Sequence, residues 1–130
     1  MIFNKLRAYN KLIRASNVYD VAEVTPITKA NTLSRQLKNN IFLKREDLQP
    51  IFSFKVRGAY NKISKIKKIS PDRPVIAASA GNHAQGVAYS AKKLGLKSII
   101  VMPITTPLIK INAVKSLGGK VVFFGDNFDE

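Results

Sequence analysis

Two short segments of this chain hold residue types that do chemistry together. Ser53-Phe54-Lys55-Val56-Arg57-Gly58-Ala59 offers a lysine amine at the start of a predicted helix. Ser79-Ala80-Gly81-Asn82-His83-Ala84-Gln85-Gly86 is a turn of small residues between an apolar strand and a second helix. An amine attacks an aldehyde only in its neutral form, and free lysine titrates near ~10.4. Partial burial and a cationic neighbour, here Arg57, both favour the neutral form. The second segment turns backbone N–H groups outward and adds the positive end of a helix dipole, a good seat for a carboxylate. Gly81 permits close approach of the backbone. A lysine that carries an aldehyde cofactor beside a carboxylate seat is equipment for handling amino acids.

Other readings of single residues stay open at this level. Asn82 caps its helix or hydrogen-bonds a cofactor oxygen. His83 reads as structural, since a lone histidine has no evident partner. Lys55 taken alone is a surface lysine opening a helix. With one histidine, no cysteine and few carboxylates, a metal site is not expected.

The elements that must position these residues follow an α/β pattern. Apolar spacing predicts a first helix over 4–15, with Phe3, Leu6, Tyr9, Leu12 and Ile13 on one side. Thr25-Pro26 is an extended break. Asn31 is expected to cap a short helix to Leu37. A strand over 41–46 leads through a loop containing Pro50 into a helix over 54–66, with Ala59, Ile63 and Ile66 facing inward. Apolar strands at 75–78, 98–102 and 121–124 then alternate with helices over 82–94 and 107–117, closed by Gly95 and Gly118-Gly119. This alternation predicts a parallel sheet covered by helices on both faces. Asn127, followed by acidic residues, reads as the start of a further helix, so the chain is expected to stop short of a finished domain.

The chain has 130 residues, 45% of them hydrophobic, and a mean hydropathy of -0.05. That suits one soluble domain. No apolar run reaches the roughly 18 residues that span a bilayer. The net charge of +14 and pI near 10.3 would suit a nucleic-acid partner. The lysines are spread along the chain, however, with no aromatic platform among them, so neither a nucleic acid nor a membrane is expected as partner. The basic first twenty residues can be read as an organellar leader, but no small-residue cleavage cluster follows. The absence of cysteine fits a reducing compartment, and a cytoplasmic location is expected.

Taken together, the motifs resemble the fold type II pyridoxal-phosphate family, and within it the threonine dehydratase (threonine ammonia-lyase) branch. The resemblance runs from about Val18 to the end. It rests on Thr25-Pro26-Ile27, on Leu43 to Pro50, on Ser53 to Ala59, on Ser79 to Gly86, on Val101-Met102-Pro103 and on Gly125 to Glu130. Gln49-Pro50 is similar to the biosynthetic, isoleucine-pathway kind. The resemblance implies a tryptophan-synthase-β-like fold, incomplete at the C-terminus. Residues 1–53 would belong to the larger domain, and 54–130 would make most of the smaller one.

It also implies pyridoxal 5'-phosphate as cofactor, with Lys55 as the catalytic, Schiff-base lysine. Phe54 would lie beside the cofactor ring and Asn82 would bond its 3′-oxygen. Ser79, Ala80, Gly81 and His83 would line the substrate's carboxylate pocket. The implied reaction is dehydration and deamination of L-threonine to 2-oxobutanoate and ammonia, by a full-length enzyme that forms homo-oligomers. Serine racemases of the family carry a serine at the position of Ala80, so alanine points to elimination. The family's glycine-rich phosphate loop is missing from these residues, so turnover by this chain alone is not expected. The competing readings are another fold type II enzyme (serine dehydratase or racemase, threonine synthase), a basic module that binds polyanions, and an inactive gene remnant.

Overall fold

The computed structural model describes residues 2–127 and 130. A helix α1 (Ile2–Arg14) is followed by a 3-10 turn at Val18–Asp20. A short antiparallel ribbon comes next, formed by β1 (Ile27–Lys29) and β2 (Phe42–Lys44) with α2 (Asn31–Gln36) between them. A second 3-10 turn at Glu46–Leu48 leads into α3 (Lys55–Ile69), followed by β3 (Val75–Ala78), α4 (Asn82–Lys93), β4 (Ser98–Met102), α5 (Leu108–Ser116) and β5 (Lys120–Phe123). The last three strands form one parallel sheet in the order β3-β4-β5.

The predicted βαβ units are therefore present, and the helices stop where glycine lets them. Gly95 and Gly118 follow α4 and α5 at φ +70° and +88°, a region that L side chains rarely adopt. Ala59 and Ile63 of α3, Ala84, Val87, Ala88 and Ala91 of α4, Ile111 and Val114 of α5, and Val75, Ile100 and Met102 of the strands make one core.

Three expectations need correction. The sheet is covered on one face, not both. Its strands follow one another in chain order, and right-handed crossovers between successive neighbours put α4 and α5 on the same side, with α3 packed against α4. Ile76 and Val122 on the other face stay exposed. Asn31 does not cap α2: it is the first helical residue, and Ala30 holds the cap position. The apolar stripe of α1, Leu6, Tyr9, Leu12 and Ile13, is exposed, because no described element offers it a partner face. The Phe3 side chain, Phe128 and Asp129 lie outside the described residues. Finally, β1 was not foreseen. It has three residues, and Ile27 is exposed, so no alternation marks it. The accessible surface is 9357 Å², against roughly 6,800 Å² for a closed monomer of this mass.

Candidate active site

The two motifs meet. A Cβ built on Gly86 would lie 3.2 Å from the backbone oxygen of Lys55, 3.3 Å from Ala59 Cβ and 3.4 Å from Ile51 Cδ1. A glycine at that position lets α4 press against the first turn of α3. At the other end, Lys67 Nζ of α3 donates to the carbonyl of Leu94, 2.5 Å away, just past α4. The two helices thus run in the same sense, with their N-termini at the carboxyl end of the sheet. Ligands of parallel α/β sheets sit beyond that edge. Gly86 is about 6 Å along the helix from the start of α4.

Lys55 is the first residue of α3, with Phe54 at the cap position. Ser53, which is buried, accepts a hydrogen bond from Lys55 N–H at 3.3 Å through its Oγ. Lys55 and Phe54 are both exposed, Phe54 by 61%. The residue ahead of Ser53 is unusual: Phe52 has φ +54°, left-handed backbone that a bulky side chain adopts at a cost.

The 79–82 turn is held from inside. Ser79 is buried, and its Oγ accepts from Gly81 N–H at 3.3 Å and Ala84 N–H at 3.2 Å. Gly81 occupies the cap position of α4, and Asn82 is the first helical residue. The capping role that the sequence offered to Asn82 is therefore carried by Ser79 from two residues upstream of the cap. Among the described residues the N–H groups of Ala80, Asn82 and His83 have no protein acceptor, nor do the Asn82 and His83 side chains make hydrogen bonds. Asn82 and His83 are exposed, and Ala80 and Gly81 are half-buried. Orphan donors at a helix start are the features that attract an anion.

These residues fit an aldehyde cofactor with a phenolic oxygen and a carboxylate substrate. The starts of α3 and α4 bring an exposed lysine, an unpaired side-chain amide and free backbone donors to one end of the sheet. A Cβ at Gly58 or Gly81 would meet nothing within 4 Å, so the backbone there lies open to a ligand. Lys55 sits on an open face. A cleft of about 640 Å³ between Lys29 and Asn40 holds no residue of either motif.

Arg57, read in the sequence as a cationic neighbour of Lys55, is engaged by Glu46. Its Nε donates to Glu46 Oε2 at 2.8 Å and its Nη2 to Glu46 Oε1 at 3.0 Å. The pair is closed, and the guanidinium lies over the Tyr19 ring at 5.2 Å. The hydrogen bonds from Arg57 hold the Glu46 carboxyl down at about 2, against the desolvation that would raise it, with Thr25 and Gln49 adding donors. Glu46 lies inside the recognised Leu43–Pro50 segment, yet nothing in its spacing announced a partner eleven residues on.

A family model described as pyridoxal-phosphate dependent enzyme matches residues 18–130. The biosynthetic, chloroplastic threonine dehydratase 1 of Solanum lycopersicum is 58% identical over 118 residues, which cover 91% of this chain and 20% of that protein. A biosynthetic L-threonine dehydratase of Haemophilus influenzae is 59% identical over 115 residues, covering 88% of this chain and 22% of its own length. This chain therefore spans about a fifth of the length of the curated relatives it matches. Among solved structures, the processed form of threonine deaminase isoform 2 from Solanum lycopersicum aligns with a TM-score of 0.91 at 53% identity, over 98% of this chain and 35% of that one. Maize serine racemase aligns at 0.86 and 29% identity, over 92% of this chain and 37% of that one. With the lysine-bearing helix and the small-residue turn packed together, and with these matches over nearly its whole length, the chain belongs to the pyridoxal-phosphate-dependent enzyme family, in the tryptophan-synthase-β-like fold.

Proposed function

We propose that this chain supplies the lysine-bearing, carboxylate-binding part of an ammonia-lyase that converts L-threonine to 2-oxobutanoate and ammonia, the first step of isoleucine synthesis. The observation that carries the reading is the close approach of Gly86 to the Lys55 backbone, which joins the two motifs at one edge. The tomato and Haemophilus relatives, named as threonine dehydratases, support the choice of substrate.

Pyridoxal phosphate, when bound, withdraws electrons from the substrate's Cα. The chain's residues do the rest. Free N–H groups of Ala80, Asn82 and His83 bind the substrate carboxylate at the positive end of α4. The Asn82 amide would hold the cofactor through its phenolic oxygen, and Phe54 would lie beside its ring. The Lys55 amine takes the α-proton, the β-hydroxyl leaves as water, and hydrolysis of the released enamine returns one water and yields ammonia. Ala80 has no proton to deliver to the opposite side of Cα, which favours elimination over racemisation. Residues 1–53 and 54–130 are assigned to a larger and a smaller domain, in keeping with their separate sheets.

The test is borohydride reduction with limiting pyridoxal 5'-phosphate, followed by peptide mapping. A pyridoxyl label concentrated on Lys55, and lost in Lys55→Arg, is the expected result. Label spread evenly over the surface lysines overturns the reading. Turnover of L-threonine against L-serine, measured with the remaining catalytic region supplied, separates this enzyme from a serine-directed relative.

A further inference from the structure

We propose that Glu46, Gln49 and Arg57 form a clamp that positions Lys55 by fixing the entry into α3; this rests on the assignment of Lys55 as the cofactor lysine. The three side chains are bonded to one another and to the Glu23 backbone. Arg57 follows Lys55 by two residues, about 200° around the helix, so it points away from the amine.

The clamp joins three parts of the chain. The Gln49 side chain, 1% exposed, pairs with the backbone of Glu23: Glu23 N–H donates to Gln49 Oε1 and Gln49 Nε2 donates to Glu23 O, each at 2.9 Å. Glu46 accepts from Thr25 Oγ1 at 2.7 Å, from Arg57 Nε and Nη2, and from Gln49 Nε2 at 3.3 Å. Arg57 Nη2 also donates to Glu23 O at 3.2 Å. Glu46 and Arg57 are mostly shielded, with 18% and 24% of their side chains exposed.

What the clamp holds is a strained turn. Phe52 N–H donates to Gln49 O at 2.7 Å while Phe52 itself sits at φ +54° with 78% of its surface exposed. No packing of its ring repays that conformation. Left-handed backbone at a bulky residue persists only where surrounding contacts over-determine it. Here the contacts lie on both sides: Gln49 before the turn and Arg57 after it. Lys55 is three residues past Phe52. A carboxylate with donors on both oxygens, gripping a rigid guanidinium fork, fixes direction as well as distance.

The test compares wild type, Glu46→Gln and Arg57→Lys, with Tyr60→Phe as a control that loses a different hydrogen bond of α3, the one from Tyr60 to Asp20. Two readouts are taken below the unfolding range: the share of pyridoxyl label on Lys55, and amide hydrogen exchange at residues 55–57. Glu46→Gln should lower the Lys55 share by about tenfold, as loss of orientation does, and speed exchange at 55–57 while β4 stays protected. Arg57→Lys keeps the charge but loses the fork, and should fall between. Tyr60→Phe should change neither readout. Preferred labelling of Lys55 in wild type that persists in Glu46→Gln overturns the clamp and leaves the proposed function standing. If wild type shows no preference for Lys55, the proposed function fails. Exchange then decides alone: unchanged exchange at 55–57 overturns the clamp, and faster exchange upholds it as the hold on this helix start.

Discussion

Replacing Gly86 by alanine should destabilise the protein, while the same replacement at Gly58 should stabilise it. Both glycines sit in helices, where alanine is intrinsically favoured by about 0.5–1 kcal/mol. At Gly58 a new Cβ meets nothing within 4 Å, so that gain stands. At Gly86 the new methyl group meets Lys55 O at 3.2 Å, Ala59 Cβ at 3.3 Å and Ile51 Cδ1 at 3.4 Å. The first two belong to a buried helix face and cannot rotate away; Ile51 is 1% exposed and has little room. Overpacking of this kind costs about 1–3 kcal/mol, which exceeds the helical gain. The net loss should be about 1 kcal/mol, or about 3–6 °C in Tm, with Gly58→Ala moving the other way. Urea and thermal unfolding followed by far-UV circular dichroism measure both. If Gly86→Ala is as stabilising as Gly58→Ala, the helices do not touch there and the two motifs are not packed together.

Three further outcomes are expected. Glu46 has its pKa depressed to about 2 by Arg57, so its contribution is complete above the ordinary value of 4.5 and is lost as pH falls toward 2. The full gap corresponds to about 3 kcal/mol, reduced to about 1–2 kcal/mol by solvent at the edge of the pair. Urea midpoints at about pH 6 and about pH 2.5 should therefore converge between wild type and Glu46→Gln; a constant gap would contradict the pairing. Gly119→Ala would put a methyl group 2.7 Å from Val114 Cγ1 and 3.1 Å from Ala88 Cβ, and should cost about 2 kcal/mol in thermal unfolding. Ser79→Ala removes the acceptor of two backbone N–H groups and should cost about 1 kcal/mol, with faster exchange at Ala84 as its signature.

Much of the fold was legible because local signals agreed. The run Ser98–Met102 is apolar and short, and it is the buried central strand. Small residues along 82–93, ended by Gly95, mark a helix that packs closely, and it does. The helix over 107–117 was legible from its flanks, Pro107 and the glycine pair, rather than from a stripe. What escaped depended on partners distant in sequence. The strand order that leaves one sheet face bare is a property of topology, not of any single strand. The turn at Phe52 carries no glycine or asparagine to announce its left-handed backbone. The bond between Glu46 and Arg57 needs that turn to close it. The two motifs were visible as sequence, whereas the hydrogen bonds inside the second were not. Ser79, expected at the carboxylate, uses its Oγ to hold the turn.

The most direct measurement of the central claim starts from chain reduced onto pyridoxal phosphate at Lys55, with amide chemical shifts recorded before and after. If the amine reaches the second motif, the largest changes fall on the amides of Ala80, Gly81, Asn82 and His83. Changes confined to the neighbours of Lys55 in sequence, with 80–83 unmoved, would contradict it.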